Sequence, residues 1–447
     1  MTRSSGENHI LFEGGVHLRD GKELTSGKAI RTAPLQGKYY VALHQNIGAP
    51  PKLTVKKGDV VKKGQLLAES GGFVSAALHS PTSGTVSDIM DWPGPFGLLI
   101  PSIEISSDGK DEWGSPLEPM DWENAEPAKL KERVKDAGLV GMGGAAFPTH
   151  VKLSPPETKK IDTLIINCAE CEPFLSADHR LMLENPTEIL TGAAIFAKIL
   201  GVKSIFMGIE NNKADAIEKL IASGASKYNI NVMGLRVRYP QGAEKQLIYA
   251  LTGRKVPVGG LPMDVGCVVQ NAGTAAAMAD AACKGYPLIE RITTVTGSPV
   301  CNPGNWRFRI GTKVEAALKL AGGVTENPAK LIMGGPMMGT ALSSLDVAVM
   351  KSTSGILLLN KREITQFTSE PCIRCGRCID ACPMRIMAGP LSVMIENERY
   401  DLAEKEHVMD CIECGTCAYV CPSHRPLVQH FKRAKAEVLG KRKSQNK

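Results

Sequence analysis

From about Val41 to Ile105, short Val, Leu and Ile segments alternate with glycine and proline turns, as in VKKGDVVKKGQLLAE followed by SPTSGTV. That period predicts a small all-β unit. From about Pro127 to Ile289 the pattern changes to strand and helix in alternation. Buried strands are predicted at Thr163 to Asn167, Ser204 to Ile209 and Asn231 to Arg238. An amphipathic helix is predicted from about Lys213 to Ala222 with Asn211 or Asn212 as its cap, and another over Glu244 to Leu251 stopped by Gly253. The class is therefore α/β, with ligands expected in loops at the carboxyl ends of the strands. A shorter mixed stretch runs from Arg291 to about Leu359, where GTKVEAALKLAGG reads as a helix with a glycine stop. From about Thr365 the chain reads as helices between cysteine motifs.

Composition narrows the class. The 447 residues, 43% of them hydrophobic, suffice for several cores and argue against one small module. No apolar run of about 20 residues occurs, and MTRSSGENHI lacks the apolar stretch of a secretory signal, so a soluble cytoplasmic chain is expected. In that compartment the 13 cysteines suit metal binding better than disulfides. The net charge of +7 is modest for the length and suggests no nucleic-acid partner. Much of it falls at Lys432, Arg433, Lys435, Lys441, Arg442, Lys443 and Lys447, which read either as a solvated, frayed tail or as a segment touching anionic lipid or an acidic partner.

The most specific chemical signal is a repeated cysteine run. Cys372, Cys375, Cys378 and Cys382 are followed by Pro383, and the same spacing recurs at Cys411, Cys414, Cys417, Cys421 and Pro422. A cubane cluster needs converging thiolates, and each tight triplet supplies all but one. In two-cluster ferredoxins the last cysteine of each run ligates the opposite cluster, which assigns Cys372, Cys375, Cys378 and Cys421 to one 4Fe-4S cluster and Cys411, Cys414, Cys417 and Cys382 to the other. Zinc prefers paired cysteines around a longer loop and fits poorly.

A weaker group lies in the α/β part. Gly138 to Lys152 reads GLVGMGGAAFPTHVK, a glycine-rich turn that lets backbone amides approach phosphate, with a lysine to neutralise it. Asn167 to Pro173 reads NCAECEP, Tyr239 to Lys245 reads YPQGAEK, and Gln270 to Thr274 reads QNAGT. Each alone passes for an ordinary loop. Together, in this order, they resemble the NADH-binding, FMN-carrying subunit of respiratory complex I, with its GRGGAGFPTG.K, NADESEP, Y.CGEE and NN.ET motifs. That resemblance implies that Gly141, Gly143, Gly144 and Lys152 hold FMN phosphate, with Asn167, Gly242, Glu244, Asn271 and Thr274 around the flavin. It also implies that Phe147, Glu170 and Glu172 meet NADH, the phenylalanine by stacking on adenine. The chain departs from the pattern at Ala169 and Ala243, where the family has carboxylates, and at Gln270, where it has asparagine. Cys168 and Cys171 form a CxxC inside the flavin motif rather than a separate metal site.

The β unit resembles the barrel-sandwich fold of lipoyl and biotinyl carrier domains. Its hairpin tip reads ESGGFVSAALHSP, with no lysine between Lys63 and Lys110, so a structural or docking role is expected instead of a carrier role. The opening FEGGVHLRDGKELT, this unit, the flavin motifs, a β-grasp-like stretch and the two cysteine runs together resemble the RnfC (RsxC) family of the Rnf electron transport complex, in a form without a long alanine- and lysine-rich extension. The implied architecture is a multidomain α/β chain. It has a barrel-sandwich unit over 1–126, a Rossmann-like FMN/NADH domain over 127–289, a β-grasp (SLBB-like) domain over 290–362, a helical two-cluster domain over 363–430 and a basic tail over 431–447.

The resemblance implies a peripheral subunit on the cytoplasmic side of the cell membrane, part of an ion-translocating ferredoxin:NAD+ oxidoreductase. Its expected cofactors are FMN, NAD(H) and two 4Fe-4S clusters, and its expected partners are a cluster-bearing ferredoxin-like subunit and membrane flavoproteins. A flavin is chemically useful there because NADH hands over two electrons as hydride whereas a cluster takes one at a time. No side chain is required as an acid or base. A diaphorase subunit of a soluble hydrogenase or formate dehydrogenase, and a non-catalytic iron-sulfur assembly adapter, are the rival readings; Ala169 and Ala243 sustain the second.

Overall fold

A computed structural model describes residues 10–114, 117–368 and 370–445. The β unit is two small antiparallel sheets. One orders the strands Lys38–Ala42, Leu99–Ser107, Gly84–Pro93 and Val60–Val61, and the other Lys52–Leu53, Leu66–Glu69 and Leu78–His79. Alternation does the work: Tyr39 and Val41 stand opposite Ile105 and Ile103, and these side chains, with Val61, Leu67 and Val86, are buried. The tip holding Gly71, Gly72 and Phe73 rests on the α/β domain, where the Phe73 carbonyl lies 2.9 Å from Nε2 of His150.

The α/β domain is built on a parallel sheet ordered Ile230–Leu235, Ser204–Glu210, Thr163–Asn167 and Cys267–Asn271. The strand order reverses between Thr163–Asn167 and Cys267–Asn271, and their last residues, Asn167 and Asn271, are in register. In such a sheet the crevice outside this reversal is where ligands bind. The helix Pro186–Leu200, with Pro186 in its first turn and Gly201 closing it at φ 67°, crosses the helix Ala272–Ala279 at close range. A side chain on Gly192 would collide with the Ala275 carbonyl oxygen. Two expectations need correction here. The helix after Ser204–Glu210 starts at Ala214, preceded by a turn of 3-10 helix over Asn211–Lys213, and neither asparagine caps it. The next strand is Ile230–Leu235 and stops short of Arg238, because the chain leaves the sheet to pair Tyr239 with Val16.

The connecting domain is a six-stranded mixed sheet holding the helix Val314–Leu320. Its edge strand, Ile30–Thr32, comes from the opening segment and pairs in parallel with Gly304–Arg309. That opening segment works as a strap rather than as part of the β unit. Ile10 donates to Ala250, Gly15 to Ala381 and Val16 to Tyr239, while Lys28 reaches the Pro303 carbonyl, so residues 10–32 touch the α/β, cysteine-bearing and connecting domains in turn.

The cysteine-bearing domain carries the helices Arg377–Asp380, Ala388–Glu396, Tyr400–Lys405, Thr416–Tyr419 and Leu427–Gln445. The last of these overturns the expectation of a frayed basic tail. Leu427, Phe431, Ala434 and Val438 recur every three or four residues and are buried on its inner face, leaving the lysines and arginines outside. Lys447 lies outside the described residues.

Candidate functional site: a nucleotide crevice and two cysteine sets

The glycine-rich turn closes on itself at the mouth of the crevice. Gly141 N–H donates to the Phe147 carbonyl at 2.8 Å, and Val140 bridges Pro148. Thr274, fully buried in the first turn of Ala272–Ala279, ties this turn down: its hydroxyl accepts from Met142 N–H at 2.9 Å and donates to the Val140 carbonyl. Asn271 caps the same helix, accepting from the N–H groups of Gly273 and Thr274, and its amide nitrogen donates to Asp178 at 2.7 Å. Gly143 lies against Asn271, where an added Cβ would sit 3.3 Å from that side chain, while nothing approaches Gly144. Phe147 is half-buried.

On the facing side Asn167 donates to the Gly242 carbonyl at 2.8 Å, and Lys152 binds Glu244 at 2.8 Å and the Val269 carbonyl at 3.2 Å. Gly242 must be glycine, because a Cβ there would collide with the Ala169 carbonyl oxygen. Gln270, buried beside Asn271, has neither side-chain amide atom hydrogen-bonded. A polar cradle at a strand-order reversal, with open space over Gly144 and an unsatisfied buried amide, fits a phosphate-bearing polar cofactor such as FMN.

The remaining expected residues serve as anchors. The Glu170 carboxylate accepts from the N–H groups of Asp178 and His179, capping the helix Ala177–Glu184, and lies 3.9 Å from Lys22. Glu172 accepts from Met337 and Met338 N–H at 3.1 and 2.8 Å, so it ties the crevice motif to the connecting domain. Burial pushes its carboxyl up to about 7 against the pull of those two amides.

Sequence reasoning missed the buried charges beneath this motif. Lys22, from the strap, donates to the Glu170 carbonyl oxygen, and Lys213 binds Glu210 at 2.6 Å. Burial pulls the Lys22 ammonium down, with Lys213 adding to it; for Lys213 itself burial also pulls down, but Glu210 and Glu170 outweigh it. Arg291, also missed, is buried and donates from Nη2 to the Met142 carbonyl at 2.8 Å, clamping the glycine-rich turn from the connecting domain. Asp178 and Arg291 carry no local motif that would reveal them.

The two cysteine runs fold into the same loop twice. Arg374 and Glu413 share φ 57°, Gly376 and Gly415 have φ 79° and 84°, and a short helix follows each. Burial raises the Cys378 thiol, and Cys372, Cys421 and Cys375 raise it further. Burial likewise raises Cys417, with Cys411, Cys414 and Cys382 as its neighbours. The fourth neighbour of each triplet is thus the last cysteine of the other run. Cys382, Cys411, Cys414 and Cys417 line one small cavity with Ile386, Ile412 and Phe431. Donors already reach the sulfurs, with Glu413 N–H 3.3 Å from Cys411 Sγ and the Thr416 hydroxyl 3.4 Å from Cys414 Sγ. Soft thiolates grouped in this way, with donors turned toward sulfur, suit iron-sulfur clusters.

The second set lies against the crevice domain. Tyr239 donates its hydroxyl to the Cys414 carbonyl at 2.8 Å, Gln246 donates to the Pro383 carbonyl at 3.2 Å, and a Cβ on Gly14 would strike the Cys382 carbonyl. Burial raises the Tyr239 phenol well above its usual range, so it stays a donor.

Comparison with known proteins agrees with each part. Residues 10–110 match the family model of the RnfC barrel sandwich hybrid domain, 134–280 the Nuo51 FMN-binding domain, 292–341 the SLBB domain and 365–423 the 4Fe-4S dicluster domain. The chain is 48% identical over 429 residues to the C subunit of the proton-translocating ferredoxin:NAD(+) oxidoreductase complex of Clostridium ljungdahlii, covering 95% of this chain and 93% of that one. It is 41% identical to the Na(+)-translocating counterpart of Acetobacterium woodii, covering 98% and 99%. With the C subunit of the ion-translocating oxidoreductase complex of Rhodobacter capsulatus it shares 43% identity, covering 96% and 83%. Among solved structures, a chain of the NAD+-reducing [NiFe]-hydrogenase in the H2-reduced state superposes with a TM-score of 0.51 at 17% identity over 74% of this chain and 69% of that one, a likeness of fold. With nearly full-length coverage at these identities, the chain belongs to the RnfC family, the C subunits of ion-translocating ferredoxin:NAD+ oxidoreductase complexes.

Proposed function

We propose that this chain is the peripheral subunit through which an ion-translocating complex exchanges electrons with NAD(H), working at the cytoplasmic face of the membrane beside cluster-bearing and flavin-bearing membrane subunits. No helix among the described residues is long and apolar enough to cross a membrane, which suits attachment through partners. The observation that carries the reading is the Tyr239 bond to Cys414, since it joins a crevice motif directly to the backbone of a cysteine ligand.

When bound, FMN supplies the conversion between hydride and single electrons. The chain's own residues do the placing. Gly141, Gly143 and Gly144 keep the turn free of side chains, Lys152 brings a positive charge to the crevice, and Asn167, Gly242, Glu244, Asn271 and Thr274 set its walls. Phe147 stands at the turn as an aromatic face for a nucleotide base. Cys372, Cys375, Cys378 and Cys421 hold one cluster and Cys411, Cys414, Cys417 and Cys382 the other. Glu170 and Glu172 act by holding the crevice to its neighbours.

The test is anaerobic: reconstitute with iron, sulfide and FMN, add NADH, and follow flavin bleaching and the EPR signals of reduced clusters. Rapid bleaching with cluster signals that require FMN is expected. Clusters present, FMN bound and no bleaching would sink the NADH assignment.

A further inference from the structure

A cavity of about 330 Å³ lies where the β unit, the α/β domain and the connecting domain meet. Trp113 of the β unit, Ala277 on the helix Ala272–Ala279 and Arg307 of the connecting domain each form part of its wall. It is not the nucleotide crevice: Met142 and Gly273 border it, but Lys152, Asn167, Gly242 and Glu244 do not. Leu181, Leu288 and Ile292 give it an apolar lining and are themselves buried. The Trp113 ring stacks on Tyr286 at 4.4 Å, so side chains of two domains hold one wall together.

The charges around it are unevenly matched. Lys284 holds Asp280 at 2.7 Å and Glu188 at 3.6 Å, while Arg309 and Arg307 share Glu290 at 3.4 and 3.8 Å. Arg291 differs. It is only 3% exposed and has no ion pair within 4 Å among the described residues; its Nε and Nη2 donate to the Thr353 and Met142 carbonyls at 3.3 and 2.8 Å. Its Nη1 makes no hydrogen bond among the described residues and lies beside Gly273, where an added Cβ would sit 3.0 Å from it. Asp178, also in the wall, gives one oxygen to Asn271; burial, with Glu170 adding to it, raises its carboxyl and favours the protonated form. A guanidinium buried on carbonyl oxygens alone is costly until an anion completes its surroundings.

We propose that this cavity binds a small organic anion, its carboxylate or phosphate on Nη1 of Arg291 and its apolar body against Leu181, Ala277, Leu288 and Ile292. The volume and the position at a domain junction are those of small-molecule sites, where a few convergent polar groups orient a ligand that apolar walls enclose. The acidic wall residues do not repel such a ligand strongly, because Lys284, Arg307 and Arg309 already neutralise them. The same guanidinium holds the Met142 carbonyl, so the anion sits next to the glycine-rich turn without entering the crevice.

The test loads the full chain with FMN and iron-sulfur clusters, adds saturating NAD+ to fill the crevice, and titrates it calorimetrically with phenyl phosphate, benzoate and the uncharged benzyl alcohol. About one equivalent of phenyl phosphate or benzoate should bind, and benzyl alcohol about tenfold more weakly or less. The tighter of the two anions tells a phosphate ligand from a carboxylate one. Arg291→Gln should weaken the anion about tenfold. Because Arg291 also clamps the glycine-rich turn, Ala277→Phe is the second variant. It fills the cavity, keeps every charge and should abolish binding while the flavin spectrum and iron content stay as they were. Binding of neither anion, equal affinity for benzyl alcohol, or binding unaffected by Ala277→Phe would overturn the site. Anion binding seen only when NAD+ is left out would move the ligand to the crevice and overturn it as well.

Discussion

The first and second cysteine runs differ less in what they can ligate than in what they touch. Both adopt one loop, with a left-handed residue at Arg374 or Glu413 and a glycine at Gly376 or Gly415, because the tight spacing leaves the backbone little alternative. The second is wedged between the strap, the Tyr239 motif and the connecting domain; the first keeps its arginines in solvent. Two cysteine sets of the same spacing thus stand in different surroundings, and for any cluster they hold, burial and nearby donors would tune its potential while exposure would decide what reaches it.

The largest expected effect breaks the pair apart. Cys375→Ser and Cys414→Ser should each cost about half the iron, one cluster apiece. Cys375→Ser should leave NADH able to reduce the second-set cluster, whereas Cys414→Ser should prevent NADH from reducing the first. Loss of both clusters from either change would undo the separate assignment.

Lys351→Met probes a site remote from both runs. Lys351 is buried, and burial pulls its amine down to about 7; its Nζ donates to the Ala77 and Gly138 carbonyls at 2.7 Å each, and a neutral amine has two hydrogens for those two acceptors. The substitution orphans both carbonyls and should destabilise the junction of the β unit and the α/β domain by about 2 kcal/mol in thermal unfolding. Both EPR signals should keep their shapes.

Tyr239→Phe removes the bond to Cys414 and should cost about 1 kcal/mol. Potentiometric EPR should show the second-set midpoint moving while the first stays put. Equal movement of both would contradict the asymmetry.

Glu172→Gln has the smallest expected effect and is read through pH. Its folded carboxyl titrates near 7, above an unfolded value near 4.5, so the native state holds the proton more tightly and stability falls as pH rises through that window. The glutamine variant should lose this slope, and its stability should be lower across that window by on the order of 1 kcal/mol, because its amide nitrogen cannot accept from one of the two N–H groups that the carboxylate holds. A slope unchanged in the variant would assign it to another group.

Much of this is readable along the chain. The cysteine sets are legible because the members of each triplet fall within one loop, and the strands Thr163–Asn167 and Ser204–Glu210 because apolar runs suit a sheet covered on both faces; the strand Cys267–Asn271 reads only as a loop motif around Gln270 and Asn271. The helix over 427–445 reads as a tail, although Leu427, Phe431, Ala434 and Val438 carry its period; the crowd of lysines hides it. The Asn211 cap fails because a 3-10 turn intervenes and the Asn211 side chain lies close against Gly234 instead.

By itself, then, the sequence determined whatever depends on neighbours a few residues apart: the cysteine spacing, the glycine turns, the alternating strands of the β unit. Tertiary structure alone decided which run faces the crevice, that residues 10–32 strap the domains together, and that Lys22, Asp178 and Arg291 support the crevice from distant segments. Those choices depend on buried charges and carbonyls finding partners far along the chain. Desolvation enforces such pairings strongly in the folded state and leaves no periodic trace in the chain.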